Sequence, residues 1–397
     1  MGRTYQGGRT MAKRKVCVVV TARPSYSRIK TALQAIKAHP ALELQLVVAA
    51  SALLDRYGSV VRHIEQDRFE IAVRVDMVLE GDSLATMAKT TGLGLIEFAT
   101  AFGNLKPDVV VTVADRYETL ATAIAASYMN IPVAHVQGGE VTGSIDEKVR
   151  HAVTKLSNLH FAATQRAAER LIRMGEDPKT VFVTGCPSID LAAEVAAAPG
   201  LTFDPFTKYG GVGPALDLSN GYLVVVQHPV TTEHELAKTH VMETLHAVAG
   251  LGLPALWFWP NVDGGSDGTS KGIRTFRELE QATNLHFFRS MDPTDFLRLV
   301  QGGRCIVGNS SVAIRECAFL NVPAVNIGTR QEGRERATNV VDAGYDRRAI
   351  TEAIRRQLGN GHPRLGPDRL YGDGRAGERI AALLAETPLT VEKRLTY

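Results

Sequence analysis

The stretch His135–His151, HVQGGEVTGSIDEKVRH, gathers a dense set of side chains able to move protons or hold anions. The paired Gly138 and Gly139 would let the backbone approach a ligand closely. Around them stand His135, Gln137, Glu140, Asp146, Glu147, Arg150 and His151. Ser144 and Glu147 have the spacing of a helix capping box, which gives Glu147 a structural task. His151 follows on the same helix and is open to the reading of a hydrogen-bonded core residue. Glu140 and Asp146 have no such explanation and are candidates for acid–base work. A second set lies in ADRYE, residues 114–118, at the end of a buried apolar run. Asp115 and Arg116 there are costly unless paired or used; a structural Asp115–Arg116 pair and a place in the site are both open. Arg23, with Ser25 and Ser27 behind it, favours an anion contact at a helix start over capping alone. In the second half, His228 is followed by Pro229, Thr231 and Thr232, a pattern suited to a diphosphate. Ser310 and Ser311 open a helix after a buried strand and form a ready anion site. Glu316, six residues on from Ser310, falls inside that helix, where it can accept hydrogen bonds from ribose hydroxyls. Arg330 brings another guanidinium to the same region.

These residues sit at the ends of recurring elements. Strands are expected at Val16–Thr21, Leu44–Val48, Val109–Val113, Pro132–Val136, Thr180–Val183, Leu223–Gln227, Ala255–Trp259 and Cys305–Val307. Most are continuous apolar runs, as parallel strands buried on both faces require. Helical stretches such as Ser83–Phe102 and Ala114–Tyr128 alternate with them, which implies βαβ units and doubly wound parallel sheets. The alternation breaks once, in a stretch rich in Gly and Pro between about Ala196 and Gly221. The expected organisation is a leader (residues 1–13), a Rossmann-like sugar and catalytic domain (14–198), a linker (199–221) and a Rossmann-like nucleotide and diphosphate domain (222–397). Two α/β domains would face each other across a cleft, with ligands at the carboxyl ends of the strands. Neither G-x-G-x-x-G nor G-x-x-x-x-G-K-[ST] occurs, so no nicotinamide or P-loop fingerprint is present.

Composition narrows the class further. The 397 residues suffice for two or three domains. The 45 Lys and Arg nearly balance 42 Asp and Glu, for a formal charge of +3. No dense basic tract marks a nucleic-acid partner. No apolar run approaches the roughly 20 residues of a membrane span. Cys17, Cys186, Cys305 and Cys317 form no C-x-x-C pair and sit in apolar surroundings, as buried free thiols do. The first residues, MGRTYQGGRTMAKRK, lack an apolar core and cleavage site. Met11 is read as an alternative start and the protein as cytoplasmic.

Eight motifs occur in order: RPSYS, ADRYE, HVQGGEVTGSIDEKVRHAVTKL, GCPSID, QHPVTT, PNVDGGS, GNSSVAIRE and GTRQ. Together they resemble the hydrolysing UDP-N-acetylglucosamine 2-epimerases of sialic-acid-pathway type, over nearly the whole chain after Lys13. The resemblance implies a glycosyltransferase-B-like fold and a homodimer or homotetramer. It implies that Arg23, His228, Ser310, Ser311 and Glu316 hold UDP with Arg330 nearby, and Ser27 joins them as a substrate-binding candidate. Asn261 would line the sugar pocket, and Asp115, Arg116, Glu140 and Asp146 would flank the sugar. The family chemistry takes the proton from carbon 2 as UDP leaves carbon 1, then adds water to the glycal; no metal or nicotinamide cofactor is demanded. Two positions depart from the family pattern. Ala114 replaces the glycine of G-D-R, and Gln137 stands where close relatives place a catalytic glutamate. An alternative therefore keeps cleavage of an anomeric sugar phosphate but passes the sugar to another nucleophile. A third reading, a nucleotide-sugar-binding regulator, is disfavoured by the retained Asp115, Glu140, Asp146 and His228.

Overall fold

The computed structural model describes residues 12–54, 60–81, 83–142, 145–260, 265–280, 282–359 and 367–397. Seven strands form the first sheet: β1 (Arg14–Val20), β2 (Leu42–Ala49), β3 (Ile71–Val75), β4 (Val109–Val113), β5 (Val133–Val136), β6 (Leu159–Ala162) and β7 (Val181–Val183). Six form the second: β8 (Leu223–Val226), β9 (Ala255–Phe258), β10 (Leu285–Phe288), β11 (Cys305–Gly308), β12 (Ala324–Ile327) and β13 (Val340–Ala343). The orders are β3-β2-β1-β4-β5-β6-β7 and β10-β9-β8-β11-β12-β13. All the strand pairs are parallel. Strand order reverses beside β1 in one sheet and beside β8 in the other, and such switch points open a crevice at the strands' carboxyl ends.

The apolar runs pack as parallel strands must. Val16, Val18 and Val20 of β1 face Ile29, Leu33 and Ile36, whereas Cys17 and Val19 face Phe98, Phe102 and Ala121. In β8, Val224 and Val226 lie with Leu256 and Leu297, and Leu223 and Val225 with Trp257, Leu245 and Ile273. All four cysteines are buried and free.

The cores do not divide where the linker does. Helix Pro187–Ala197, on the N-terminal side of the linker, buries Ile189, Leu191 and Val195 in the second core. Helix Ala376–Glu386 returns to the first, where Ile380 and Leu384 join the β1 cluster. The 222–397 segment therefore contributes a helix to the opposite domain, because that apolar face finds its partner there. The return is tight at Gly377: a Cβ would stand 2.6 Å from the Thr31 carbonyl carbon. The Asp190 carboxylate fixes the junction, accepting from Ala376 N at 2.9 Å, Gly377 N at 2.7 Å and Thr31 Oγ1 at 2.9 Å.

Helix Leu84–Leu105 starts behind Ser83, whose hydroxyl accepts from Thr86 N. The next helix begins at Tyr117 rather than Ala114, because Ala114–Arg116 form a turn with Ala114 at φ +61°. Strands β3, β6, β10 and β13 carry no long apolar run and emerge only in the structure.

Candidate active site

The first wall of the cleft is built from loops after β1, β4 and β5. After β1 the chain turns into the short helix Arg23–Ser27. Ser25 is its capping residue: its hydroxyl accepts from Ala22 N at 2.9 Å and donates to Ala22 O at 2.8 Å. Ser27 donates to Pro24 O at 3.1 Å and lines the cleft. Arg23 reaches over the cleft to donate to Arg289 O at 3.1 Å.

After β4, Asp115 and Arg116 do not pair with each other. Arg116 grips Glu118 through Nε at 3.2 Å and Nη2 at 3.1 Å. Asp115 pairs with the buried Arg150 and lies 3.7 Å from Arg28 Nη1. Burial would raise the Asp115 pKa, but Arg150, Arg28 and Arg334 outweigh it and hold this carboxyl well below the usual range. His135 fastens the turn from below through a 2.8 Å bond to Ala114 O. Burial pushes its pKa down to about 3. The ring is then neutral at pH 7, and its proton sits on Nε2, since a carbonyl can only accept.

After β5, Gln137 adopts φ +69° and Gly139 φ +78°. The paired glycines pack closely against the protein itself. A Cβ on Gly139 would stand 2.2 Å from Ala167 O, and one on Gly138 2.9 Å from His135 Nδ1. Their smallness seats this loop against helix Gln165–Arg173 and the His135 ring. Glu140 is then directed inward, 3.1 Å from Arg334 and 3.5 Å from Arg315. Burial raises its pKa, but Arg334, Arg315, Arg150 and Arg28 together bring it below the ordinary glutamate value. Asp146 opens helix Asp146–Leu156 and lies 3.9 Å from Arg330. Glu147 accepts from Thr142 N at 2.8 Å, Arg150 Nη1 at 2.7 Å and His151 Nε2 at 2.9 Å. It is thus a structural anchor, although Ser144, its expected capping partner, lies outside the described residues. His151 is half-exposed rather than a core residue.

The facing wall comes from the second domain. Asn309 exchanges two hydrogen bonds with the His228 backbone, at 2.7 and 2.8 Å, and its own carbonyl accepts from Gln331 Nε2 at 2.8 Å. That side chain ties together the loops after β8, β11 and β12. Ser310 caps a single 3₁₀ turn, Ser311–Ala313, instead of a helix. Glu316 consequently starts the following short helix, Glu316–Leu320, and is not inside one, because the turn consumes the intervening residues. The Ser311 hydroxyl accepts from Arg28 Nη2 at 3.0 Å and from Arg315 Nη2 at 2.7 Å. Asn261 lies outside the described residues.

The cleft holds about 1110 Å³ of atom-free space, its mouth included. Arg23, Ser27, Asp115, Arg116, Asp146, His228, Ser310, Ser311, Glu316 and Arg330 all line it. Gln137 and Glu140 are buried just behind that surface. Sequence reasoning passed over three arginines, Arg28, Arg315 and Arg334. Arg28 follows RPSYS by one residue and Arg315 lies within GNSSVAIRE, but their partners are on the opposite domain. Guanidinium groups crowd one another here. Burial first, then Arg116, pushes the Arg23 pKa down to about 10. Burial and then Arg315 do the same to Arg28. Like charges forced together in a dry site are relieved by an anion between them.

Two parallel-sheet domains with a cleft between their strand ends define a glycosyltransferase-B-like α/β protein. The family profile described as UDP-N-acetylglucosamine 2-epimerase matches residues 34–385, and the chain belongs to that family. It is 33% identical over 376 residues to the UDP-N,N'-diacetylbacillosamine 2-epimerase (hydrolyzing) of Legionella pneumophila, covering 95% of this chain and 97% of that one. It is 29% identical to the UDP-N-acetylglucosamine 2-epimerase of Neisseria meningitidis, covering 94% and 95%. The crystal structure of UDP-GlcNAc 2-epimerase from Neisseria meningitidis bound to UDP-GlcNAc superposes with a TM-score of 0.76 at 18% identity, covering 94% of this chain and all of that one.

Proposed function

We propose that this protein is a hydrolysing 2-epimerase. It converts UDP-N-acetylglucosamine, or a deoxy relative of it, to the free N-acetylmannosamine-type sugar and UDP. The convergence of Arg23, Arg116 and Arg330 with His228, Ser310 and Ser311 on one cleft between the two domains carries the reading. Cationic and hydroxyl groups set at strand ends in this way suit a diphosphate. The names of the relatives support the reaction class.

In this reading Arg23, Ser310 and Ser311 hold the diphosphate, His228 assists as UDP departs, and Glu316 takes the ribose. Ser27, Arg116, Arg330 and Asn261 complete the binding walls. Asp115, Glu140 and Asp146 surround the sugar. Glu140 is the base that takes the carbon-2 proton. Its Oε2 is held by Arg334 and Arg315, while its Oε1 has no hydrogen-bond partner among the described residues. Both Asp115 oxygens, by contrast, face guanidinium groups. A positioned base of this kind contributes roughly 10²–10⁴-fold. The guanidinium groups stabilise charge developing on the leaving diphosphate. Gln137, an amide, orients neighbours and transfers no proton. The glycal left by elimination then takes up water.

Proton NMR of the purified protein with UDP-N-acetylglucosamine, and separately with its 2,4-diacetamido-6-deoxy analogue, in deuterated buffer tests the reading. UDP release with deuterium at carbon 2 of the product is expected with at least one of them. UDP binding without any such product from either would refute it. A cytoplasmic location is part of the proposal, supported by four buried free thiols suited to a reducing compartment. So is self-association, supported by helix Leu84–Leu105, which leaves Leu84 55% and Ile96 65% exposed. Among the described residues no helix is long and apolar enough to cross a membrane.

A further inference from the structure

Arg315 stands between the two halves of the cleft. It comes from the second domain and is 1% exposed. Its Nη2 donates to Ser311 Oγ at 2.7 Å. Its Nη1 donates to Gln137 Oε1 at 3.3 Å and lies 3.5 Å from Glu140 Oε2. Among the described residues its Nε has no hydrogen-bond partner and lies 4.0 Å from Glu316 Oε2, which also has none there. Ser311 and Glu316 belong to the nucleotide half in the reading above; Gln137 and Glu140 belong to the sugar half. A guanidinium is planar and rigid, so fixing one of its amines fixes the direction of the other.

Gln137 is chemically suited to this neighbour. Its Oε1 accepts from Arg315 while its Nε2 donates to Cys186 Sγ at 2.7 Å. An amide can do both; a carboxylate can only accept. Gln137 therefore steers Nη1 without neutralising it, and the Arg315 charge remains available to Glu140.

We propose that Arg315 is a positioning residue that aligns Glu140 through Ser311, so that the nucleotide half of the cleft sets the orientation of the carboxylate acting on the sugar. This rests on the 2-epimerase reading with Glu140 as base. Glu140 is faced by Arg315 and Arg334 from the second domain, by Arg150 of helix Asp146–Leu156 and by Arg28. Cys186 and Tyr371 complete its titratable surroundings. Loosening the Arg315 fork takes away part of what keeps Glu140 ionised, so the acid limb of activity moves to higher pH.

The test compares wild type, Arg315→Lys and Ser311→Ala. Carbon-2 deuterium incorporation and UDP release are followed against pH, with UDP affinity by calorimetry. Arg315→Lys keeps a charge but loses the fork. A misplacement near 1 Å costs about 100-fold in rate, so kcat is expected to fall by about that factor while UDP affinity changes little. Ser311→Ala removes the acceptor that anchors Arg315 and weakens UDP as well. Its acid limb is expected to move up with that of Arg315→Lys. Acid limbs that stay at the wild-type position overturn the proposal. Loss of kcat and UDP affinity in equal proportion in Arg315→Lys also overturns it. If Arg315→Lys does not fold, the limb of Ser311→Ala decides alone. A wild type that shows no exchange at all fails the 2-epimerase reading itself and takes this inference with it.

Discussion

Gly139→Ala perturbs the loop that presents Glu140 at a position whose nearest neighbours are Ala167 and Leu171. The new methyl would start 2.2 Å from Ala167 O and 2.8 Å from Ala167 C, both backbone atoms of helix Gln165–Arg173. An ordinary contact lies at 3.4 Å or beyond, so loop and helix must part by about 1 Å. Left-handed backbone at φ +78° costs an alanine about 1–2 kcal/mol. Overpacking against backbone adds about 1–3 kcal/mol. The sum is a loss of about 2–5 kcal/mol, together with a rate loss of roughly 100-fold if Glu140 moves by the same distance. Gly252→Ala is the control. It has φ +67° but nothing within 4 Å of its built Cβ, so it should lose only about 1–2 kcal/mol and leave kcat unchanged. Urea denaturation gives the stabilities, and the UDP-release assay gives the rates. If Gly139→Ala is as stable as Gly252→Ala and turns over like wild type, the claim that close packing aims Glu140 is wrong.

Ala114→Gly should stabilise the protein by about 1 kcal/mol, since Ala114 holds φ +61°, where an L side chain is strained; a lower urea midpoint would contradict this. The third prediction concerns Glu176, which lies 2.9 Å from His160 and 2.8 Å from Lys155 and also pairs with Lys393. Burial raises its pKa, but these partners outweigh it and bring the group down to about 2. A depressed folded-state pKa gives stability that is present above the unfolded value and lost as pH falls through the folded one. Wild-type stability should therefore decline between about pH 4.5 and about pH 2, and Glu176→Gln should flatten that decline; parallel curves would count against the assignment.

The strands most legible in the sequence are those whose environment is uniform. VCVVV, VVVTV and LVVV are buried on both faces, so their composition alone marks them. LHFA at β6 was not legible, because His160 at its centre is made tolerable by Glu176, sixteen residues away and outside the strand. At the edge of its sheet, β13 reads VVDA, a short and only partly buried strand broken by the exposed Asp342. The same distinction governs the site. Asp115, His228 and Ser311 sit at strand ends, where position along the chain announces them. Arg28, Arg315 and Arg334 each meet a partner across the cleft that is far away in the sequence, Ser311, Gln137 and Glu140 respectively. Gly138 and Gly139 showed that close approach was needed but not which surface would be approached.

The exchange of helices between the domains has a mechanical consequence. The chain passes from one domain to the other in two places, once between Val183 and Pro187 and once before Ala376, and the two strands of chain meet where Cys186 N donates to Tyr371 O at 2.8 Å. Two connections side by side form a hinge with an axis, whereas one connection would form a swivel. Any opening about that axis would part Arg315 and Arg334 from Glu140 together, since both reach it from the second domain.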